Sequence, residues 1–176
     1  SNPPSEILSE PVPSETVRGT DMLSNRLRKN AQHLQKWAKR TGVTCYRVYD
    51  ADLPEYAYAI DIYNGYAVLQ EYAPPASIPP HKAERRSLEL LQTVPSALNI
   101  PSEKLILKQR KLQKGKTQYQ KMDQTQRRLI VQEGRAKLQV NLYDYLDTGL
   151  FLDLRRLRLK LGQLKPGSQF LNCFCY

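Results

Sequence analysis

Hydrophobic and polar positions change period several times along the chain, and each change marks an element. Over residues 21–41, Leu23, Leu27, Ala31, Leu34 and Ala38 recur at three- and four-residue spacing with Trp37 beside the stripe, which predicts a helix. Thr20 or Asp21 can cap its start, and Gly42 can take the left-handed conformation that ends it. The opposite face carries Arg26, Arg28, Lys29, Lys36, Lys39 and Arg40. The period then shortens to that of a strand. Cys45 to Tyr49 is rich in β-formers, and Tyr58, Ile60 and Ile62 alternate with Ala59 and Asp61. Asn64-Gly65 separates this run from another at residues 66–72. Asn-Gly between two alternating runs signals a hairpin, because both central residues of a type I′ turn need positive φ. Asp50-Ala51-Asp52-Leu53-Pro54 reads as the preceding turn, its carboxylates accepting backbone bonds. A metal site or acid–base pair is the alternative for Asp50 and Asp52, but nothing else with that chemistry lies near.

Residues 73–80 form a proline-rich loop, and Pro80 suits the first turn of a helix. That helix, over residues 82–94, carries Ala83, Leu88, Leu91 and Val94 on one side and Lys82, Arg85, Arg86 and Glu89 on the other, with Pro95 interrupting it. Leu105-Ile106-Leu107 is a short buried strand, so that hairpin, helix and returning strand build a small α+β layer. Residues 129–142 predict a second hairpin around Glu133-Gly134-Arg135, with Leu138, Val140 and Leu142 alternating with Lys137, Gln139 and Asn141. Leu150, Leu154, Leu157, Leu161 and Leu164 predict an amphipathic helix with Asp153, Arg156 and Lys160 off the stripe. Gly162, Pro166 and Gly167 then punctuate before an apolar strand at residues 170–176. Helix, short loop and buried strand form the lead-in to a doubly wound sheet, whose ligand lies outside the carboxyl end of the strand. Residues 1–20, with Pro3, Pro4, Pro11 and Pro13 among Ser and Glu, read as a linker or disordered tail.

Charge narrows the partner. A formal net charge of +10 favours polyanions, either nucleic acid or an anionic membrane surface. No apolar run approaches membrane-spanning length and there is no signal-peptide pattern at the start, so the expectation is a cytoplasmic chain without a membrane partner. From Lys108 to Arg128 cations alternate with glutamines, with Tyr119 at the centre. Cations for phosphate, amides for base edges and a ring for stacking are the tools of RNA binding. The candidate RNA-binding residues are Arg26, Arg28, Lys29, Lys36, Arg110, Lys111, Lys114, Lys116, Tyr119 and Lys121. Cys45, Cys173 and Cys175 form no disulfide scaffold and read as reduced thiols; His33 and His81 are too few and too far away to complete a zinc site, so no metal is expected.

Asp147-Thr148-Gly149-Leu150-Phe151-Leu152-Asp153 followed by Arg155, and Asn172-x-Phe174-x-Tyr176, resemble the cofactor-entry motifs of class I S-adenosylmethionine-dependent rRNA methyltransferases. The likeness is to the C-terminal half of the bifunctional 23S rRNA guanine methyltransferases of the RlmKL type. It extends upstream through residues 22–30, Cys45-Tyr46-Arg47, residues 49–56 and residues 113–121. The family usually has a histidine where this chain has Leu154, which here continues the leucine stripe.

The resemblance implies guanine N7 methylation of 23S rRNA with S-adenosylmethionine as donor, and a separate guanine N2 activity upstream. It places Asp147, Thr148, Gly149, Asp153 and Arg155 in the wall of the cofactor site and Asn172, Phe174 and Tyr176 in its floor. Without the resemblance, Thr148-Gly149 is merely a turn and Asp153 merely favours a helix N-terminus. The family's glycine turn, ribose-binding acid and Asp-Pro-Pro motif have no counterpart here. The expectation is therefore the front part of a larger enzyme, which binds and positions RNA, contains no catalytic residue and is inactive alone. The expected organisation is α+β: a linker (1–20), a basic helix (21–41), a small mixed RNA-binding-type domain (42–112), a basic loop and hairpin (113–145), and the start of a Rossmann-like methyltransferase domain, helix plus first strand (146–176). The C-terminal segment, left without its sheet, is expected to be disordered or to self-associate. The alternative is a free-standing RNA-binding or ribosome-assembly module without catalysis.

Overall fold

The computed structural model describes residues 14–72, 79–109, 125–169 and 171. The expected linker at residues 1–13, the proline-rich loop at 73–78, the candidate RNA-binding residues Arg110, Lys111, Lys114, Lys116, Tyr119 and Lys121, and the expected strand with Asn172, Phe174 and Tyr176 lie outside the described residues.

The fold is mixed α+β in three layers. Helix α1 (Ser14–Thr41) leads into strands β1 (Cys45–Asp50), β2 (Tyr58–Tyr63) and β3 (Tyr66–Glu71); α2 (Pro80–Leu98) then crosses to β4 (Leu105–Gln109). These strands form one sheet in the order β1-β2-β3-β4, with β3 and β4 parallel and the other neighbours antiparallel. A second sheet pairs β5 (Leu129–Glu133) with β6 (Ala136–Val140), and the short α3 (Arg155–Leu161) follows a 3₁₀ turn at Leu152–Leu154. The Asn64-Gly65 turn is present as expected, with φ of 46° and 83°, and pairs Tyr63 with Tyr66.

Two cores lie on opposite faces of the sheet. On one, Leu23, Leu27, Ala31 and Ala38 of α1 meet Tyr58, Ile60, Ile62 and Leu69 of the sheet and Leu90 and Val94 of α2. On the other, Cys45, Tyr63 and Val68 pack against Val131, Val140 and Leu142 of the hairpin segment. Strand β2 is consequently buried at every position, Ala59 and Asp61 included, although its sequence alternates. A bulge between Arg47 and Tyr49 turns Tyr49 into the helical core. There its hydroxyl donates to Tyr56 O (2.9 Å) and accepts from Leu53 N (3.1 Å), fixing the turn that follows β1.

Three expected boundaries and faces differ. Helix α1 begins at Ser14 rather than Asp21, so the capping role expected of Thr20 or Asp21 disappears and the residues after position 13 of the expected linker are helical. Helix α2 runs through Pro95 to Leu98. Pro95 has no N–H to offer, but burial of Val94, Ala97 and Leu98 offsets the missing bond. Left-handed Asn99 then closes the helix with its N–H on Pro95 O. The buried face of α2 is Ser87, Leu90, Val94 and Ala97, leaving Leu88 exposed; Glu89, expected on the wet side, is buried and accepts from Tyr56 Oη at 2.7 Å.

The C-terminal helix is also not the one expected. Instead of a continuous amphipathic helix over residues 150–164, only Arg155–Leu161 is α-helical. Leu150 and Leu152 pack into the second core, while Leu154, Leu157 and Leu164 are exposed. The inward side of α3 is its charged side. Glu133, 3% exposed at the end of β5, receives Arg155 Nε at 2.9 Å and two bonds from Arg158, from Nε at 2.9 Å and Nη2 at 2.8 Å. Arg155 also donates to Cys45 O, and Arg158 to Phe151 O at 2.7 Å. Burial pushes the Glu133 carboxyl up, and the Arg158 and Arg155 bonds outweigh it, so its pKa lies below the ordinary value. The same hairpin end docks on the α1 terminus: Gly134 N donates to Gly42 O at 3.0 Å, with both glycines at positive φ.

Two outcomes are expected. Leu90→Ala should cost about 2–5 kcal/mol in urea unfolding, whereas Leu88→Ala should stay within about 0.5 kcal/mol. Glu133→Ala leaves two half-buried guanidiniums without their carboxylate and should cost roughly 3 kcal/mol. In that variant amide exchange should accelerate in residues 151–162 before it does in β2.

Candidate functional site

The segment after β6 is irregular, and side chains from three directions fix it. Asn141 Oδ1 accepts Tyr143 N (3.0 Å) and Asp144 N (2.9 Å), an Asx turn that starts the loop. The Asp144 carboxylate accepts Asn141 Nδ2 (2.8 Å), Thr125 N and Oγ1 (both 2.8 Å) and Gln126 N (2.9 Å). The Asn141 bond, against burial and with help from Thr125 and Gln126, lowers its pKa. Lys108, 2% exposed on β4, donates to Tyr145 O (2.6 Å) and Leu146 O (2.9 Å). The Tyr63 hydroxyl meets Thr148 Oγ1 at 3.0 Å, Asn141 N donates to Thr148 O at 3.1 Å, and Gly149 turns the chain at φ 80°. Lys108 thus leaves the basic run with which sequence grouped it and becomes a buried clamp.

These restraints place Asp147, Thr148, Gly149, Asp153 and Arg155 along one wall of a cleft of about 950 Å³. Helix α1 lines the same cleft through His33, Lys36, Trp37 and Arg40, and the sheet through Arg47, Asp50 and Asp61. Arg47 is held by Asp61 through Nε (2.7 Å) and Nη2 (3.1 Å) and by Asp50 through Nη1 (3.2 Å). The Arg155 guanidinium lies 5.2 Å from the Trp37 ring centroid, and Trp37 meets Tyr46 edge-on at 6.2 Å.

Of the expected RNA-binding residues among the described ones, only Lys36 lines this cleft. Arg26 lies 3.9 Å from Asp52, and Arg28 and Lys29 are exposed elsewhere on α1. Asp52 accepts from Asn30 Nδ2 and from Asp50 N, the role of a turn acceptor. Among the described residues no cluster of His, Cys, Asp and Glu could hold a metal ion. Cys45 is a buried free thiol whose pKa burial pushes up to about 11.

Sequence reasoning missed Lys108, Glu133 and Asp144. A signal existed for two of them: Lys108 shares a strand face with Ile106, and Glu133 shares one with Val131, so period two puts each charge on an inward face. The Asp144 cap joins segments distant in sequence and left no such trace.

Burial lowers the Lys108 pKa from 10.5 to about 8, with Asp147 opposing the shift. The unfolded chain therefore holds this proton up to a higher pH than the folded one. The stability that Lys108 contributes is complete above pH 10.5 and is lost as pH falls through 8. Unfolding free energies of the wild type minus those of Lys108→Met should rise between these pH values; the subtraction removes the buried tyrosines common to both. A flat difference would show that the ammonium is not desolvated there.

No family model matches the chain. It is 75% identical over 155 residues to the ribosomal RNA large subunit methyltransferase K/L of Legionella pneumophila (strain Corby), a match covering 88% of this chain and 22% of that protein. It is 55% identical over 153 residues to the protein of the same name from Psychromonas ingrahamii, covering 87% of this chain and 20% of that one. The chain thus spans about a fifth of the length of the curated relatives it matches. Among solved structures, SMU.776, described as a methyltransferase and complexed with SAH, aligns with TM-score 0.58 at 17% identity over 81% of this chain and 35% of that one. A Streptococcus mutans protein described as a SAM-dependent methyltransferase aligns with TM-score 0.57 at 16% identity. These two share the fold, while the sequence relatives carry the descent: over the residues matched, the chain is similar to a segment of the ribosomal RNA large subunit methyltransferases K/L.

Proposed function

We propose that this chain is the RNA-positioning segment of an enzyme that transfers a methyl group from S-adenosylmethionine to a guanine of 23S rRNA, with N7 as the acceptor. The observation that carries this reading is the cleft itself. It is lined by the Asp147–Gly149 turn, Asp153 and a basic helix in a chain whose relatives are named as large-subunit rRNA methyltransferases.

The residues fit the donor in part. Asp147, Thr148 and Asp153 offer oxygen acceptors suited to an ammonium group and to ribose hydroxyls, which S-adenosylmethionine presents along with its transferable methyl. Arg155 is committed to Glu133 and the Cys45 carbonyl, so its part is to shape the wall rather than to bind the donor. By the resemblance, Asn172, Phe174 and Tyr176 also serve the donor. The guanine ring nitrogen is already nucleophilic, so the protein's work is alignment: holding base and methyl donor in line and excluding water. Arg26, Arg28, Lys29 and Lys36, with Arg110, Lys111, Lys114, Lys116, Tyr119 and Lys121, serve the RNA.

The same reading divides the chain into a lead helix, a small RNA-binding-type α+β unit through residue 112, the basic run with the second hairpin, and the opening of a Rossmann-like methyltransferase unit from residue 146. Its location is the cytoplasm. The exposed Leu154, Leu157 and Leu164 would pack against further methyltransferase sheet in a longer protein, or against a second copy in this one.

Isothermal titration separates the parts of this reading. This chain should give no saturable heat with S-adenosylmethionine, while a protein spanning the full length of the relatives should bind it and methylate 23S rRNA. In that longer protein Asp153→Asn should raise the donor KM about tenfold, the equivalent of roughly 1.4 kcal/mol. Tight donor binding by the present chain would refute the shared-site reading, and absence of methyl transfer by the longer protein would refute the activity.

A further inference from the structure

His33, Lys36, Trp37 and Arg40 stand at i, i+3, i+4 and i+7 on α1, one stripe of the helix beside the stripe that fills the core. All four line the cleft. Most cations around them are spoken for: Arg47 by Asp61 and Asp50, Arg155 and Arg158 by Glu133, Arg26 by Asp52. Lys36 and Arg40 have no ion pair among the described residues and are exposed. Arg47 is matched by the Asp61 and Asp50 carboxylates, so the unmatched positive charge that lines the cleft from α1 is that of Lys36 and Arg40.

A polyanion suits that field with its phosphates on the helix, and an unpaired strand can splay its bases from there into a cleft that a duplex cannot enter.

We infer that the Lys36–Arg40 turn of α1 is a phosphodiester-binding rim that lays a single-stranded RNA segment along the cleft, backbone on the helix and bases toward the Asp147–Asp153 wall. The choice of RNA as the polyanion rests on the rRNA-methyltransferase reading above; the rim rests on the geometry. Trp37 lies between the two cations, so any strand seated on the rim alters the surroundings of its indole.

Trp37 is the only tryptophan of the chain, which makes its fluorescence a reporter of this cleft alone. Titrating the chain with a single-stranded oligoribonucleotide over a series of KCl concentrations should change the emission saturably. The pair of substitutions Lys36→Gln and Arg40→Gln should weaken binding at least about tenfold and reduce the salt slope by about 1.4, two phosphates at about 0.7 each. Lys82→Gln, on α2 and equal in charge to each single substitution, should change neither. Should the pair unfold by circular dichroism, each single substitution decides, with an expected slope change of about 0.7.

Three outcomes would overturn the inference: equal weakening by Lys82→Gln, RNA binding with silent Trp37 emission, or an equal response to inorganic phosphate or SAH. Failure of the longer protein to transfer methyl groups would remove the activity while leaving the slope and emission results standing.

Discussion

The carboxylate of Glu133 is the joint on which the three layers depend. It ends β5 at a hairpin turn that rests on the α1 terminus, and it is almost sealed from water. A buried carboxylate is costly unless its lone pairs are filled, and Arg155 and Arg158 fill them. Those guanidiniums then reach the Cys45 carbonyl, the Phe151 carbonyl and the face of Trp37. One charge therefore fastens hairpin, sheet edge, lead helix and C-terminal helix. It also explains why α3 lies with its leucines outward: its inward side was decided by ion pairing.

With Glu133 at one end and Lys108 at the other, the irregular segment between them is held without secondary structure of its own. Lys108 grips the carbonyls just before Asp147, and Arg155 grips Glu133 just after Asp153. The Tyr63–Thr148 contact pins the middle. A segment fixed at both ends by side chains can keep its backbone irregular on a rigid scaffold. The clamps differ in kind. Against burial, ion pairing pulls the Glu133 pKa below its ordinary value and secures its charge, whereas burial lowers the Lys108 pKa to about 8 and weakens the hold on its proton.

Much of the fold was legible because its elements announce themselves locally. Asn64-Gly65 between alternating runs, the Leu23–Ala38 stripe and the Leu138–Val140 alternation each follow from one periodicity and one turn type. The wall residues Asp147 to Arg155 were recognisable as a motif, and the structure brings them into one cleft. What pattern reading could not see was which layer covers which face. Tyr58–Tyr63 alternates as a half-wet strand yet is buried on both sides because the hairpin packs where solvent was expected. Leu88 and Leu90 both fit a helical stripe, and only the position of α1 chooses between them. The leucine stripe of residues 150–164 promised an inward face that a single glutamate reversed.

Charge shows the same division between count and placement. A net charge of +10 describes the sequence, but the cations fall into two populations. Arg47, Lys108, Arg155 and Arg158 are matched within the fold, by carboxylates or carbonyls at hydrogen-bond distance. Lys36, Lys39 and Arg40 stand at the surface, unpaired among the described residues. Salt screens the second population strongly and the first weakly. The long-range field of the chain therefore comes from exposed cations such as these, while the matched ones set the shape of the cleft. The two populations are made of the same residue types, and burial against a partner is what separates them.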